Sequence, residues 1–535
     1  MAMFALASVP LIKKVATIGA TQAWFADDAA SGGKMISIRR WWDRLVLHGP
    51  QYGYFPNALK TAVITKEDRH CEVVKVFEGT GISITDVGKR YLGGALGSQA
   101  FLEKFVETKI SEWTLEIERL SDFAKSQPHA AFAAFSHGIS HRWTYLTRVL
   151  PISGHLLSPL EKVIRLVFLP ELTGQPACND KIRQLLALPP RLGGLGITNP
   201  VTSSHYQHAA STNICKPLVK AILDQEGEPF KIRGHQRQRK AEEKRKHGLA
   251  QKEECNALME EFTSSPDLQQ TIKAASEKGA SAWLTALPIE EHGFALHKGA
   301  FRDALALRYG WPLKFCAEKC LCGARFEPDH QMICKQGGYA SLRHNELRDL
   351  TATLMRKVCN DVRVEPPLQP VTGEHLPRSA NREEGARLDV RARGFWDGSS
   401  QDAFFDVRVF HPFSPSYRST SLSALYRQHE MKKKKEYGSR VREIERGCFT
   451  PLVFSTTGGM GREAEIVFKR LASLISNKSG ESYAVVMGWI RTSLSFSLLR
   501  SALMCLRNTR PKPAKFNEDT CISVVSAEAN VKEFM

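Results

Sequence analysis

At 535 residues the chain exceeds what one hydrophobic core organises, so several domains are expected. A content of 42% hydrophobic and 24% charged residues is ordinary for globular protein and excludes a largely disordered or fibrous chain. The 74 Lys+Arg against 56 Asp+Glu leave a net charge of +18, a surface that attracts polyanions, although ribosomal and membrane-peripheral proteins share such a balance.

The 12 cysteines are scattered apart from one cluster, which fits a reducing compartment and metal ligation better than a disulfide framework. The start, Met1 to Ile12, is apolar but has Lys13-Lys14 behind it and no basic region ahead, so it reads as a truncated helix and not a signal peptide. A nuclear or cytoplasmic protein, not a secreted one, is expected. In Gln22-Ala23-Trp24-Phe25-Ala26-Asp27-Asp28-Ala29 two adjacent acids sit at the turn of an apolar hairpin. Such a pair can hold Mg2+ beside a primer end, although Asp-Asp pairs are also common in loops. An amphipathic helix with Ile38, Trp41, Trp42, Leu45 and Val46 follows, then Gly53 to Thr61 and Arg90-Tyr91-Leu92-Gly93-Gly94-Ala95-Leu96-Gly97.

In this order the three segments resemble the Asp-Asp hairpin, the Asn-x-x-Lys segment and the primer grip of a reverse transcriptase palm. The resemblance implies Mg2+ binding by Asp27 and Asp28, and a place for Lys60 near an incoming triphosphate as proton donor to the pyrophosphate. The palm, 1–98, reads as truncated, without the earlier strand that carries the family's third aspartate, so RNA-directed DNA polymerisation by this chain alone is not expected.

From Phe101 the pattern turns helical, with Leu102, Val106, Ile110, Trp113, Ile117 and Leu120 in register and further helices at 129–150 and 157–170. Residues 99–215 suit a thumb-like helical domain or a generic helix bundle, which periodicity cannot separate. Leu188-Pro189-Pro190-Arg191-Leu192-Gly193-Gly194-Leu195-Gly196-Ile197 is turn-rich but lacks the strand-to-helix setting of a phosphate loop. It resembles a segment common after the reverse transcriptase in eukaryotic retroelement proteins. Within the linker 216–310, residues 231–253 mix Arg and Lys with Glu, as in a solvated helix or linker, a nucleic-acid contact or a nuclear-import patch.

Residues 311–337 hold Cys320-Leu321-Cys322, His330 and Cys334, a complete tetrahedral set for structural Zn2+. Cys316 stands close enough to replace Cys320, and Asp329 is a candidate to orient His330.

Residues 338–507 are read as helix 342–358 with Glu346, strand 362–368, strand 387–393 with Asp389, strand 403–410 with Asp406, helix 420–437 and strand 449–455. Glu346, Asp389 and Asp406 would surround a hard divalent cation, Mg2+, able to activate water at a scissile phosphate. The succession resembles the PD-(D/E)XK restriction-like endonuclease core. Leu388 replaces the family's proline, and Arg408 stands at the usual lysine, where its pKa is too high for proton transfer. Lys433 or Lys434 on the following helix can supply the lysine instead. The plain alternative is a mixed sheet with salt-bridged acids and bases. Lys432 to Lys435 are placed at a helix end, Thr456 to Arg462 in a tight strand-to-helix connection, and Tyr483 to Leu506 in a buried or amphipathic helix that does not span a membrane. The segment 508–535 reads as a flexible tail.

The fold class expected is therefore α+β and multidomain: partial polymerase palm, helical thumb-like domain, small zinc knuckle, then an αβββαβ nuclease core. The arrangement resembles the carboxy-terminal portion of a non-LTR retrotransposon protein. That resemblance implies target DNA and element RNA as partners, with nicking of DNA for primed reverse transcription in a full-length ancestor. A non-catalytic nucleic-acid-binding remnant is the alternative.

Overall fold

The computed structural model describes residues 2–225, 229–314, 316–396, 400–417 and 419–507; the expected tail lies outside them. The protein is mixed α/β, mostly helical with small sheets. It divides into two compact units. Unit 1 comprises Met1–Arg119, His137–Arg165 and Asn199–Glu253, and unit 2 comprises Leu120–Ser136, Leu166–Thr198 and Glu254–Met535. The serial boundaries read above do not follow this division, because 99–215 contributes stretches to both units.

In unit 1 the expected hairpin forms from Ala20–Phe25 and Asp28–Gly33, with Phe25 paired to Asp28 and Ala26 at a φ of 53° in the turn. It packs on the helices Ala2–Val15 and Met35–His48 through Leu11, Val15, Trp41, Trp42 and Leu45, with Trp24 and Tyr54 alongside. Gly88–Tyr91 and Gly94–Gly97 form a second hairpin, whose turn residues Leu92 and Gly93 both have positive φ. That geometry matches the right-handed twist of the strands it joins.

The basic run falls on one helix, Pro229–Glu261. Over 233–247 it is polar all round, a pattern that needs specific polar contacts to stay folded. Within unit 1, Tyr206 Oη donates to the Glu243 carbonyl at 3.0 Å, Asn213 Nδ2 to Glu243 Oε1 at 2.8 Å and Arg239 to Asn213 Oδ1 at 2.5 Å. His247 stacks on Tyr206 at 4.4 Å.

Unit 2 contains a four-stranded sheet in the order Cys448–Ser455, Asp402–Phe410, Val390–Arg393, Val362–Val364. The first pair is parallel and the other two are antiparallel. Helices Tyr339–Arg356 and Leu422–Glu443 pack on it, so the αβββαβ order expected of 338–507 is the observed one. Leu368, Leu388, Phe404, Tyr437 and Val441 form the core between sheet and second helix. That helix runs to Glu443, so Lys432 to Lys435 lie in its interior and not at its end; a dipole argument for them fails. Tyr483–Arg507 is a single helix buried along most of its length. No helix among the described residues is long and apolar enough to cross a membrane.

The Leu188 to Ile197 segment proves to be a carbonyl cradle. Arg308, 7% exposed, donates to the carbonyls of Pro190 and Gly194 and to Ser281 Oγ. A Cβ on Gly194 would meet Leu188 O at 1.8 Å, which no side chain tolerates.

Candidate functional site

The strand register brings the two later acids together. Val390 lies across from Phe405, and the strand begins at Val390 and not at 387 as read from the sequence, so Asp389 immediately precedes it, at the Asp406 end of the antiparallel pair. That placement brings the two carboxylates close enough for the Asp389 charge to act on Asp406, although 17 positions separate them in the chain. The Asp389 carboxylate is fixed from two sides: His344 Nε2 lies 2.9 Å from Oδ1, and the Val407 N–H donates to Oδ2 at 2.6 Å. Its own carbonyl accepts from Glu365 N at 2.9 Å.

Asp406 is 6% exposed. Desolvation pushes its carboxyl up to about 6, opposed by the Lys433 ammonium and reinforced by the Asp389 charge. Lys433 Nζ stands 2.9 Å from Asp406 Oδ2 and 5.2 Å from the centre of the Tyr437 ring, one helical turn on. The contact with Oδ2 is close enough for an ion pair, but its angle falls outside hydrogen-bond geometry. Oδ2 is therefore buried with the Lys433 charge as its partner.

The other expected members fall differently. Lys434, 100° round the helix from Lys433, pairs with Glu463 at 2.6 Å, so of the two lysines only Lys433 reaches the acids. Arg408 is exposed and shares the face of Asp406, with no ion-pair partner among the described residues. His429, one turn before Lys433, stacks on Phe410 at 4.7 Å, and burial ahead of the nearby Arg408 lowers its pKa to about 4.

Glu346 is a correction. Its Oε2 accepts from Ser501 Oγ at 3.0 Å, on the buried last helix, and burial raises its pKa against the pull of Ser501 and Arg500. Positions 344 and 346 are about 200° apart on a helix. With His344 turned to Asp389, Glu346 has to face the other way, so the expected three-acid cluster does not form. His344 takes the helix's place in the site, which the sequence reading did not assign. Its proximity to Glu346 was visible, but the helix phase was not.

The metal-ligating cluster forms as a compact group. The ligand atoms of Cys320, Cys322, His330 and Cys334 all lie within 4.8 Å of one another, so these four can hold a metal such as Zn2+. A tight turn positions the first two, with Cys320 N donating to Ala324 O at 2.8 Å and Gly323 at a φ of 85°. The short helix Pro328–Ile333 carries His330, and Cys334 follows it. Desolvation raises the Cys320 thiol, but hydrogen bonding with the Cys322 backbone, Gln331, Cys334 and His330 prevails and lowers it to about 6. A thiolate is the form a metal needs.

Two expectations here are corrected. Cys316 stands apart, with Arg507 Nη1 at 3.5 Å from its sulfur, and does not substitute for Cys320. Asp329 does not orient His330; its Oδ1 lies 3.0 Å from His411 Nε2. His411 Nδ1 in turn lies 2.7 Å from Thr456 Oγ1, so this buried imidazole joins the knuckle helix to the ends of both parallel strands. A cavity of about 660 Å³ borders Asp329, His411 and Thr456. None of Asp389, Asp406 and Lys433 lines it, so this cavity is not where the acids meet.

In unit 1, Asp27 and Asp28 lie at the exposed tip of the hairpin. Tyr54 Oη donates to the Asp27 carbonyl at 3.0 Å. Desolvation and then the Asp28 charge raise the Tyr54 and Tyr91 pKa values. Lys60 closes a short 3-10 turn capped by Asn57, is exposed, and pairs with neither acid. Among the described residues the Cys320 to Cys334 cluster is the only group of three or more metal-ligating side chains.

The chain matches no protein-family model and no curated protein.

Proposed function

We propose that residues 338–507 form a metal-dependent endonuclease that cuts DNA phosphodiesters, within a protein of retroelement origin. One observation carries the reading: the Asp389 carboxylate, just before the Val390–Arg393 strand, converges on Asp406 of the neighbouring strand, with the Lys433 ammonium 2.9 Å from the buried Asp406 Oδ2. Two carboxylates completed by water and phosphate oxygens suit Mg2+. When bound there, the ion would activate water and neutralise charge at the scissile phosphate.

The chain's own residues prepare the rest. His344 and the Val407 N–H keep the Asp389 carboxylate from rotating. Lys433, steered by Tyr437, brings a proton-bearing nitrogen to the phosphate. Arg408, exposed on the same face as Asp406, serves as a clamp on phosphate oxygen. Supercoiled plasmid with magnesium should be nicked by the parent protein and left intact by Asp389→Ala. Equal nicking by both would remove these assignments.

The outward turn of Glu346 favours a second reading, in which the fold binds nucleic acid without cutting it. Calorimetric titration with Mg2+ separates the two: binding that disappears in Asp406→Asn supports the nuclease, and binding indifferent to that change supports the binder. Asp27, Asp28 and Lys60 we read as the vestige of a polymerase site. Two exposed acids with no third metal ligand near them among the described residues do not make a polymerising centre. For the Cys320 to Cys334 cluster the proposed resident is structural Zn2+.

A further inference from the structure

The helix Pro229–Glu261 carries two faces of different use. Arg239, Glu243 and His247, spaced by one turn, fasten it to Asn213 and Tyr206 within unit 1. About a quarter turn away lie Arg233, Arg237, Lys240 and Lys244, at spacings of four, three and four residues. All four are exposed, and none has an ion-pair or hydrogen-bond partner among the described residues. The contrast with Lys246 is informative: on another face of the same helix it is paired with Glu242 and Glu243, both at 3.1 Å. No carboxylate falls on the Arg233 to Lys244 stripe.

We propose that this stripe is a docking surface for a nucleic-acid backbone, tracking consecutive phosphates of one strand. The four positions span about 16 Å of helix axis, the axial length of about five phosphates on one strand of duplex. A helix without an apolar face offers a partner nothing but charge, and fixed cations in line suit a polyanion of fixed charge spacing better than a folded protein surface. Such contacts position without reading sequence. The proposal concerns unit 1 and binding alone, so it stands or falls apart from the nuclease reading.

The test measures affinity of the full-length protein for a short duplex DNA and a single-stranded RNA over a range of salt concentrations. Changing Arg233, Arg237, Lys240 and Lys244 together to Gln should reduce the slope of log K against log salt by about 3 to 4 on duplex, and somewhat less on single strands, from about 0.9 and 0.7 per phosphate contact. The larger loss identifies the preferred strand form. Arg233→Lys with Arg237→Lys should keep the parental slope, as should Lys109→Gln with Lys246→Gln, whose cations are already paired. Circular dichroism on the four-fold variant verifies that the helix remains; if it is lost, Lys240→Glu alone carries the test and should still weaken binding. An unchanged slope on both nucleic acids overturns the proposal. So does a loss confined to phosphatidylserine vesicles, which would make the stripe a membrane contact.

Discussion

The chain contains two pairs of aspartates that invite the same reading, and they are built in opposite ways. Asp27 and Asp28 are neighbours in sequence, sit at a solvent-exposed hairpin tip, and are held by little besides the Tyr54 hydroxyl on one carbonyl. Asp389 and Asp406 are far apart in sequence, meet where one strand begins beside another, and are enclosed by His344, Lys433 and a backbone N–H. Water screens the first pair almost completely. In the second, desolvation outweighs the pull of Lys433 and moves Asp406 up to about 6. Adjacency in sequence supplies two charges, whereas convergence in a buried place supplies a site.

The largest effect that would break this contrast is on cleavage. Asp406→Asn or Asp389→Ala should reduce nicking to background, while Asp27→Asn with Asp28→Asn should leave it unchanged; a loss in the hairpin variant would erase the distinction. Next, Lys433→Ala should slow nicking by about 10² to 10⁴, the usual contribution of a proton-transferring group. Lys434→Ala should stay within about twofold of the parent, because that lysine is occupied with Glu463. A milder loss, about 10 to 100-fold, is expected for His344→Ala in both nicking and Mg2+ affinity.

The smallest effect concerns the cost of burying an acid. Glu277, hydrogen-bonded by Tyr426 Oη at 3.0 Å, is pushed up to about 7 by burial. The folded state therefore holds that proton more tightly than the unfolded chain, whose ordinary value is 4.5. Its stabilising contribution is complete below pH 4.5 and is lost as pH rises through about 7. Glu277→Gln should remove that part of the decline, an effect of up to about 3 kcal/mol that thermal melts at pH 5 and pH 8 would read. An unaltered pH dependence would mean that this carboxyl is more solvated than its surroundings suggest.

Much of the nuclease-like order was legible because alternating apolar residues mark half-buried strands, as around Asp406 in Phe404-Phe405-Asp406-Val407-Arg408. The cysteine cluster was legible because its ligands are near in sequence. Glu346 was misplaced for a physical reason. The Tyr339–Arg356 helix is packed on two sides, against the sheet and against the last helix, so its apolar pattern carries no single phase. Choosing between Lys433 and Lys434 likewise needed the rotation of a polar helix, which composition does not set. The roles of His344 and His411 are tertiary and left no pattern to read.

His411 follows the strand that carries Asp406, and Asp329, its partner, is the chain neighbour of His330 in the cluster that can hold a metal. A loosened knuckle would thus lose its grip on the strand ends as well as on its own fold. Stripping the ion from the four ligands should accelerate amide exchange through Phe405 to His411, far from any cysteine in the chain order. The Cys/His cluster would then also be the tension member that keeps the strand of Asp406 straight.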